Sequence, residues 1–521
     1  FDGQQPPAGL RLNEVHVGSV APTLPRLDSG GCSLMVRLPY LGHDVDGRKS
    51  EPVSPKNFTN VIEAIGFGMP QIIAAVLCGF IWAADGAELL LLGSVTRSVA
   101  DEWSLQAWQR GAIVSVVFIG ILLGNTAGGP LGDSTGRKTP VLLSFLGIIL
   151  FSVVSASCTG FWSLACVRTM VGASFGLGQP ATLSMIRDIT PARWQLLVVA
   201  LVGGLPFCLG EVYSAALIWY NDPSMKQLDW RWLCIMGALP SIVGFVFSYS
   251  FLKESPAYLL ENGYAEEAKE ILEAYKTANG ADHVCCDLVT SSSVGKTPRS
   301  ARQNVEAIFS PRLRWTTLAM MYTTFMLNTG FYGTLYAFPQ VLVDVSTPYS
   351  AAMALIVGAI FEVPGQLSGP VVATMLDNKT ILRICPLGMA ATLLMFLVGA
   401  NGEGLLYSVM LQVGYAGIKM ISGGFFAVAY TCASGVFPAA VRTTGTAACV
   451  AGGRVGGIFS PLIFEQIVIT FGGWGGFFVF MIVGNLVNAG ILMALHLDDV
   501  DDIDSLDELK PMISNEEKAA A

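Results

Sequence analysis

From about residue 70 to residue 496 the chain is a succession of apolar runs of about twenty residues, and nothing else limits its fold as strongly. A run of that length crosses the hydrocarbon core of a bilayer as a helix, with every backbone donor and acceptor satisfied inside the segment. The runs fall near 70–94, 111–131, 139–158, 162–185, 195–220 and 233–252, and again near 315–342, 351–375, 381–400, 405–434, 444–469 and 474–496. With 52% of 521 residues apolar and only 13% charged, a water-soluble surface cannot be built. The expected fold is an all-α membrane protein of twelve transmembrane helices, arranged as two six-helix bundles.

The rest of the chain reads as tails and one insert. Residues 1–68 are rich in Pro, Gly and charge and read as a flexible tail. A bundle over 69–252 is followed by a polar connector at 253–314, which holds an amphipathic helix at Ala265 to Tyr275 and a Ser/Thr/Lys/Arg-rich segment. A second bundle covers 315–496 and an acidic tail 497–521. Much of the net charge of −9 lies in that tail, so it does not point to a nucleic-acid partner. The eleven cysteines sit mostly inside apolar runs without a CxxC, so they read as packing residues, and Cys285 and Cys286 are not expected to bind metal. The chain begins at Phe1 rather than Met, which leaves room for an upstream segment.

Lys and Arg near span ends are retained on the cytoplasmic side. Arg137, Lys138, Arg187, Arg193, Lys253, Arg312, Arg314, Lys379, Arg383 and Arg442 all fall in even-numbered connections, against Arg97, Arg110, Lys226 and Arg231 in odd ones. Both termini and the connector are therefore expected in the cytoplasm. The halves also echo each other: Arg168-x3-Gly172 before Pro191-Ala192-Arg193 matches Lys419-x3-Gly423 before Pro438-x3-Arg442. Small-residue helix packing plus positive-inside arginines would give a similar pattern without duplication.

Between the second and third runs the chain reads Gly129-Pro-Leu131-Gly-Asp133-Ser-Thr-Gly136-Arg137-Lys138. This resembles the GxLxDxxGRK signature loop of the major facilitator superfamily. The resemblance implies a cytoplasmic gate in which Asp133 accepts hydrogen bonds from a helix N-terminus or an arginine and clasps the two bundles in the outward-open state. The second-half counterpart keeps only Asp377-Asn378-Lys379. Asn57 to Leu92, Glu102-Trp103, Trp108-Gln109, Ser115 to Gly120, Trp230-Arg231-Trp232-Leu233, Lys253-Glu254-Ser255-Pro256, Glu362-x-Pro364-Gly365 and Ile421 to Phe425 resemble the synaptic vesicle two-related proteins and their organic-ion transporter kin. The resemblance covers about 57–468; the acidic residue expected after the tenth span is Gly435 here. It implies transport of a small organic ion, with a monomer sufficient, in a plasma or vesicle membrane that the residues do not distinguish.

Ionisable groups inside hydrocarbon cost at least about 2.5 kcal/mol each and need a partner, a wet cavity or a function. Eight occur: Asp85, Glu88, Arg168, Glu211, Glu362, Lys419, Arg454 and Glu465. Spans three, six, nine and twelve have none in their interiors, and the superfamily fold makes those the lipid-facing helices. Asp85 and Glu88, three apart on one helical face beside Gly86, suit either substrate or proton binding, or a structural ion pair with Arg168. Glu211 beside Gly210 carries the same two readings, and Glu362 suits either function or backbone donors at a helix break before Pro364. Arg168 and its second-half counterpart Lys419 can release a carboxylate in one state and hold it in another. Arg454 reads as an interhelical anchor near the cytoplasmic end, Glu465 as lying near the opposite interface. Asn328, Phe331, Tyr332, Tyr336 and Phe338 of span seven suit a cavity wall or ordinary packing.

The histidines, His16, His43, His283 and His496, stand outside the spans, so a proton relay has to use carboxylates. The sequence contains no Walker loop, HExxH, GxSxG or metal-spaced Cys/His cluster, so an ATP-driven pump, an enzyme and a bound cofactor are not expected. The leading expectation is a secondary transporter that moves a small organic ion by alternating access, coupled to protons as a symporter, with the ion, protons and membrane lipid as its partners. Five carboxylates against three basic groups tilt the cavity toward a cation or a proton, while Arg168 and Lys419 equally suit an organic anion. A receptor or scaffold that kept the fold and lost turnover is the competing expectation.

Overall fold

A computed structural model describes residues 58–286, 301–345, 347–437 and 441–495. Most of the expected N-terminal tail, the acidic tail, His16, His43, His496, residues 287–300 of the connector and Pro438 lie outside the described residues. The first half comprises α1 (Phe58–Ile65), α2 (Met69–Trp103), α3 (Ala107–Thr135), α4 (Lys138–Ala156), α5 (Phe161–Ile189), α6 (Ala192–Asn221), α7 (Trp230–Gly237) and α8 (Leu239–Phe251). Three short helices follow, α9 (Pro256–Glu261), α10 (Ala265–Ala278) and α11 (Ala301–Ile308). The second half comprises α12 (Arg314–Val341), α13 (Ala351–Met375), α14 (Asn378–Ala400), α15 (Leu405–Gly435), α16 (Arg442–Phe471) and α17 (Gly475–Ala494).

Among the described residues, ten spans are long and apolar enough to cross a membrane, with α7 and α8 counted as one across Ala238 and Pro240. The remaining two, α5 and α12, have the length, at 29 and 28 residues, but carry more polar side chains, and both line the interior. The spans thus form two sixes. The halves meet where α3 lies against α16, α6 against α13 and α2 against α12. The helices without internal charge turn apolar side chains outward: Leu143, Leu146 and Leu150 on α4, Val246 and Phe247 on α8, Leu394 and Val398 on α14, Val483 and Val487 on α17.

Residues 58–65, read from sequence as part of a flexible tail, form α1 instead. Val61, Ile62 and Ile65 share one face of that helix and are buried in a cluster with Leu272 and Tyr275 of α10. The Asn279 side chain, just after α10, donates to the Gly66 carbonyl and to Gln71 Oε1, both at 3.2 Å, so the connector is tied to the start of α2.

Glycines allow the closest helix contacts. Gly120 and Gly124 of α3 face Gly172 and Gly176 of α5 at four-residue spacing, so that backbone meets backbone. A Cβ on Gly124 would run into the Ala173 carbonyl, whereas one on Gly203 of α6 meets nothing. Gly124→Val is therefore expected to cost about 1–3 kcal/mol through overpacking, while Gly203→Val stays near the parent. Thermal unfolding of the two variants in one detergent checks this, and equal melting temperatures would mean that the α3–α5 seam can open at no cost.

Candidate functional site

The charges in the spans form separate networks. Within the first half, Arg168 of α5 donates through Nη1 to Glu88 of α2, and through Nη2 to Cys234 Sγ of α7 at 2.9 Å. Arg168 and Glu88 are 1% and 2% exposed, so this is a sealed ion pair. Asp85, one turn earlier on α2, points elsewhere. Its Oδ2 accepts from Gln179 Nε2 at 3.0 Å, while its Oδ1 is buried without a hydrogen bond among the described residues. The two carboxylates therefore serve different partners. Gly86 between them admits the backbone of α6 at Phe207, so the close approach there is that of a helix.

Gln179 extends this contact across the halves, since its Oε1 accepts from Arg454 Nη2 of α16 at 3.3 Å. Arg454 also lies in electrostatic range of Asp85, Tyr332 and Tyr430. Arg454 thus makes the interhelical contact read from the sequence, but it does so in the central cluster and not near the cytoplasmic end of its span. Gly453 and Gly457 beside it explain the placement, because a Cβ at 453 would collide with Asn328 and Tyr430, and one at 457 would crowd Phe118 and Tyr332. Asn328 Nδ2 donates to Tyr430 Oη at 2.9 Å. The Tyr332 ring lies 4.7 Å from Phe118 of the first half and 6.2 Å from Phe426.

A third network joins the halves at α6, α13 and α15. Lys419 Nζ donates to Glu211 Oε2 at 2.7 Å and to Glu362 Oε2 at 2.6 Å, and all three side chains are buried. Glu362 thus serves an ammonium and not the backbone donors of a helix break. Phe331 places its ring 5.7 Å from Lys419 Nζ and 5.5 Å from Phe207, closing the space between this cluster and the aromatic one.

Tyr336 and Phe338 lie away from these centres. Tyr336 Oη donates to Glu465 Oε1 at 2.6 Å, and Glu465 Oε2 pairs with Arg110 Nη2 of α3 at 2.7 Å. This cross-half pair borders a cavity of about 480 Å³ with Arg97, Asp101, Gln340 and Asp344 on its wall. Phe338 packs on Phe396 and Tyr415 at 5.4 and 4.6 Å. Arg110 was missed as a partner because sequence shows it only as a charge before a span. Its pairing brings the basic groups to four against five carboxylates, which leaves the excess negative charge in the Glu211–Lys419–Glu362 cluster.

At the far end, the Gly129–Lys138 segment is mostly helix. Gly129, Leu131 and Asp133 belong to the last turns of α3, and only Gly136, at φ +90°, makes the turn. Arg137 pairs with Asp133 at 3.0 Å and lies 3.9 Å from Asp188. The anion at the N-terminus of α4 is Glu254, which accepts from the backbone N–H groups of Arg137 at 2.8 Å and Lys138 at 3.1 Å. Asp133 is 76% exposed on its side chain, and these contacts all stay within the first half and the stretch just after α8. The expected clasp between bundles is therefore not what Asp133 makes in this structure. In the second half, Asp377 caps α14 by accepting from Thr380 N at 2.8 Å and Thr380 Oγ1 at 2.7 Å, and these donors hold its carboxyl below the usual range.

Two six-helix halves whose interface carries buried charge define a membrane transporter of the major facilitator type, not an enzyme. The model of the Sugar (and other) transporter family matches residues 69–494, and the chain belongs to that family. It is 28% identical over 447 residues to the Synaptic vesicle 2-related protein of Bos taurus, covering 80% of this chain and 78% of that one. It is 27% identical over 453 residues to Organic cation/carnitine transporter 7 of Arabidopsis thaliana, covering 78% and 87%. The fold is similar to the inward-open xylose transporter XylE from E. coli, with a TM-score of 0.64 at 16% identity over 83% of this chain and 98% of that chain.

Proposed function

We propose that the chain moves a small organic ion across its membrane by alternating access, driven by protons, and that the ion carries a carboxylate together with a cationic or hydrogen-bond-donating group. The observation that carries this reading is the Asp85–Gln179–Arg454 cluster. Of the three cations deep in the spans, Arg168 and Lys419 have carboxylate partners within ion-pair distance, while Arg454 is held by the Gln179 amide and the Tyr332 phenol, with Asp85 in electrostatic range and no carboxylate in ion-pair contact among the described residues. A guanidinium in that setting suits a carboxylate, held by charge-assisted hydrogen bonds. One amide away, Asp85 Oδ1 offers an acceptor without a donor. Phe118, Tyr332 and Phe426 supply apolar faces for what lies between the two ends. The relative named an organic cation/carnitine transporter agrees with an organic ion as solute.

The Asp85–Gln179–Arg454 cluster draws on both halves, so a solute held there is bound by both, and rocking of 69–252 against 315–496 exposes it to each side in turn. The basic Gly129–Lys138 end, the connector and both termini are assigned to the cytoplasm by the positive-inside rule.

Proteoliposome uptake from labelled quaternary amines, aromatic carboxylates and betaine-like zwitterions, with and without an inward proton gradient, tests the reading. Arg454→Ala should weaken apparent affinity for carboxylate-bearing solutes about tenfold to a hundredfold, the value of about 1.5–3 kcal/mol for a charged hydrogen bond. Uptake that prefers solutes without a carboxylate, or that is unchanged in Arg454→Ala, would sink the assignment.

A further inference from the structure

The Glu211–Lys419–Glu362 cluster has a charge count that the solute site does not explain. Two carboxylates share one ammonium, at 2.7 and 2.6 Å, and the three side chains are 0%, 0% and 4% exposed for Glu211, Glu362 and Lys419. The ammonium they share holds the two carboxyl groups near each other, and Glu211 Oε1 is buried without a hydrogen bond among the described residues. Two carboxylates beside one ammonium carry one negative charge too many and repel each other, which favours the uptake of a proton by one of them. Among the described residues, the other groups facing the cluster add no cation. Cys208 of α6 donates its thiol to Glu362 Oε1 at 3.6 Å, α15 presents the Tyr415 phenol, and α12 the Phe331 ring. On α2, Ala83 and Ala87 meet Gly210 through backbone, while Asp85 and Glu88 are engaged by Gln179 and Arg168.

The placement of the three groups matters as much as their charge. Glu362 and Lys419 belong to the second half, on α13 and α15, whereas Glu211 belongs to α6 of the first. When the halves part at this seam, Lys419 stays with Glu362 and Glu211 loses its cation. An unprotonated Glu211 would then be a bare charge among buried groups, and its attraction to Lys419 resists the separation. With a proton on Glu211, both pieces are neutral: a carboxylic acid on one side, an ammonium–carboxylate pair on the other.

We propose that this cluster is a proton-binding site, in which hydronium gives up a proton to form one O–H bond at Glu211, leaving water, and thereby unlocks the α6–α13 seam, while Glu362 keeps Lys419 ionised and in place. The inference rests on the alternating-access reading and adds a proton site separate from the Asp85–Arg454 centre.

Infrared difference spectroscopy of the full-length protein in liposomes, stepped in pH with hydronium as the only ligand, tests the site. The wild type should show a protonated-carboxyl stretch that is lost in Glu211→Gln. Spin labels on α6 and α13 report the seam. Acid should lengthen their separation in the wild type, Glu211→Gln should give the longer separation at all pH values, and Glu362→Gln the shorter one, because one carboxylate then balances one ammonium. The opposite directions of two near-isosteric variants distinguish a proton lock from general damage. A band that persists in Glu211→Gln, or label distances that move the same way in both variants, overturns the inference. A band that behaves as stated in a chain that carries no solute supports the proton site and counts against the transport reading alone, whereas proton-driven uptake undiminished in Glu211→Gln overturns the site and leaves transport standing.

Discussion

Arg168→Met is expected to destabilise the protein by about 3–5 kcal/mol, the usual penalty for removing one member of a buried ion pair. The loss exceeds the worth of the pair itself, because Glu88 would be left charged at 2% exposure with no other cation in contact among the described residues. Met conserves much of the volume, so the effect isolates charge from packing. Adding Glu88→Gln should restore most of the stability, since a neutral amide beside a thioether strands no charge. Thermal unfolding of the two single variants and the double variant, combined as a cycle, checks this. The coupling should be large, and both single variants should fall well below the double. A single Arg168→Met as stable as the parent would mean that water reaches Glu88, and the pair would then be a working contact of the transport cycle and not a sealed one.

Much of this was legible in the sequence, for a physical reason. Hydrocarbon makes charge expensive, so the eight ionisable residues placed within the spans mark the interior before any helix is assembled. The charge-free spans mark the exterior equally well, as the outward Leu143, Leu146 and Leu150 of α4 illustrate. What the sequence withheld was partnership. Helical spacing puts Asp85 and Glu88 on one face, but which neighbour each meets depends on how α2, α5 and α7 cross, and small rotations divide Gln179 from Arg168. Arg454 was misplaced because its depth follows from the length and tilt of α16, which runs on to Phe471. Arg110 shows the same limit at a span end, where a charge near an interface looks satisfied by water until Glu465 approaches from the other half. Asp133 does meet an arginine, Arg137, as read, but within its own half. The motif located the turn, but the anion over the start of α4 is Glu254, more than a hundred residues away in sequence.

Lys419→Met is expected to cost as much as Arg168→Met at neutral pH, about 3–5 kcal/mol, because it strands two buried carboxyl groups beside each other. Its consequences differ, since the Arg168–Glu88 pair lies within one half and moves as a unit, whereas Lys419 bonds a residue of each half. Losing Lys419 therefore alters the balance between conformations as well as stability. Two carboxyls without an ammonium must both hold protons to stay buried together, so the penalty should shrink as pH falls and grow as pH rises. Adding Glu211→Gln alone should recover only part of the loss, because Glu362 remains unpaired, while Glu211→Gln with Glu362→Gln should recover most of it. Melting temperatures across a pH series for these variants give the result directly. A penalty that does not vary with pH, or full rescue by Glu211→Gln alone, would mean that Glu362 finds another partner, and the two-carboxylate count behind the seam would fail.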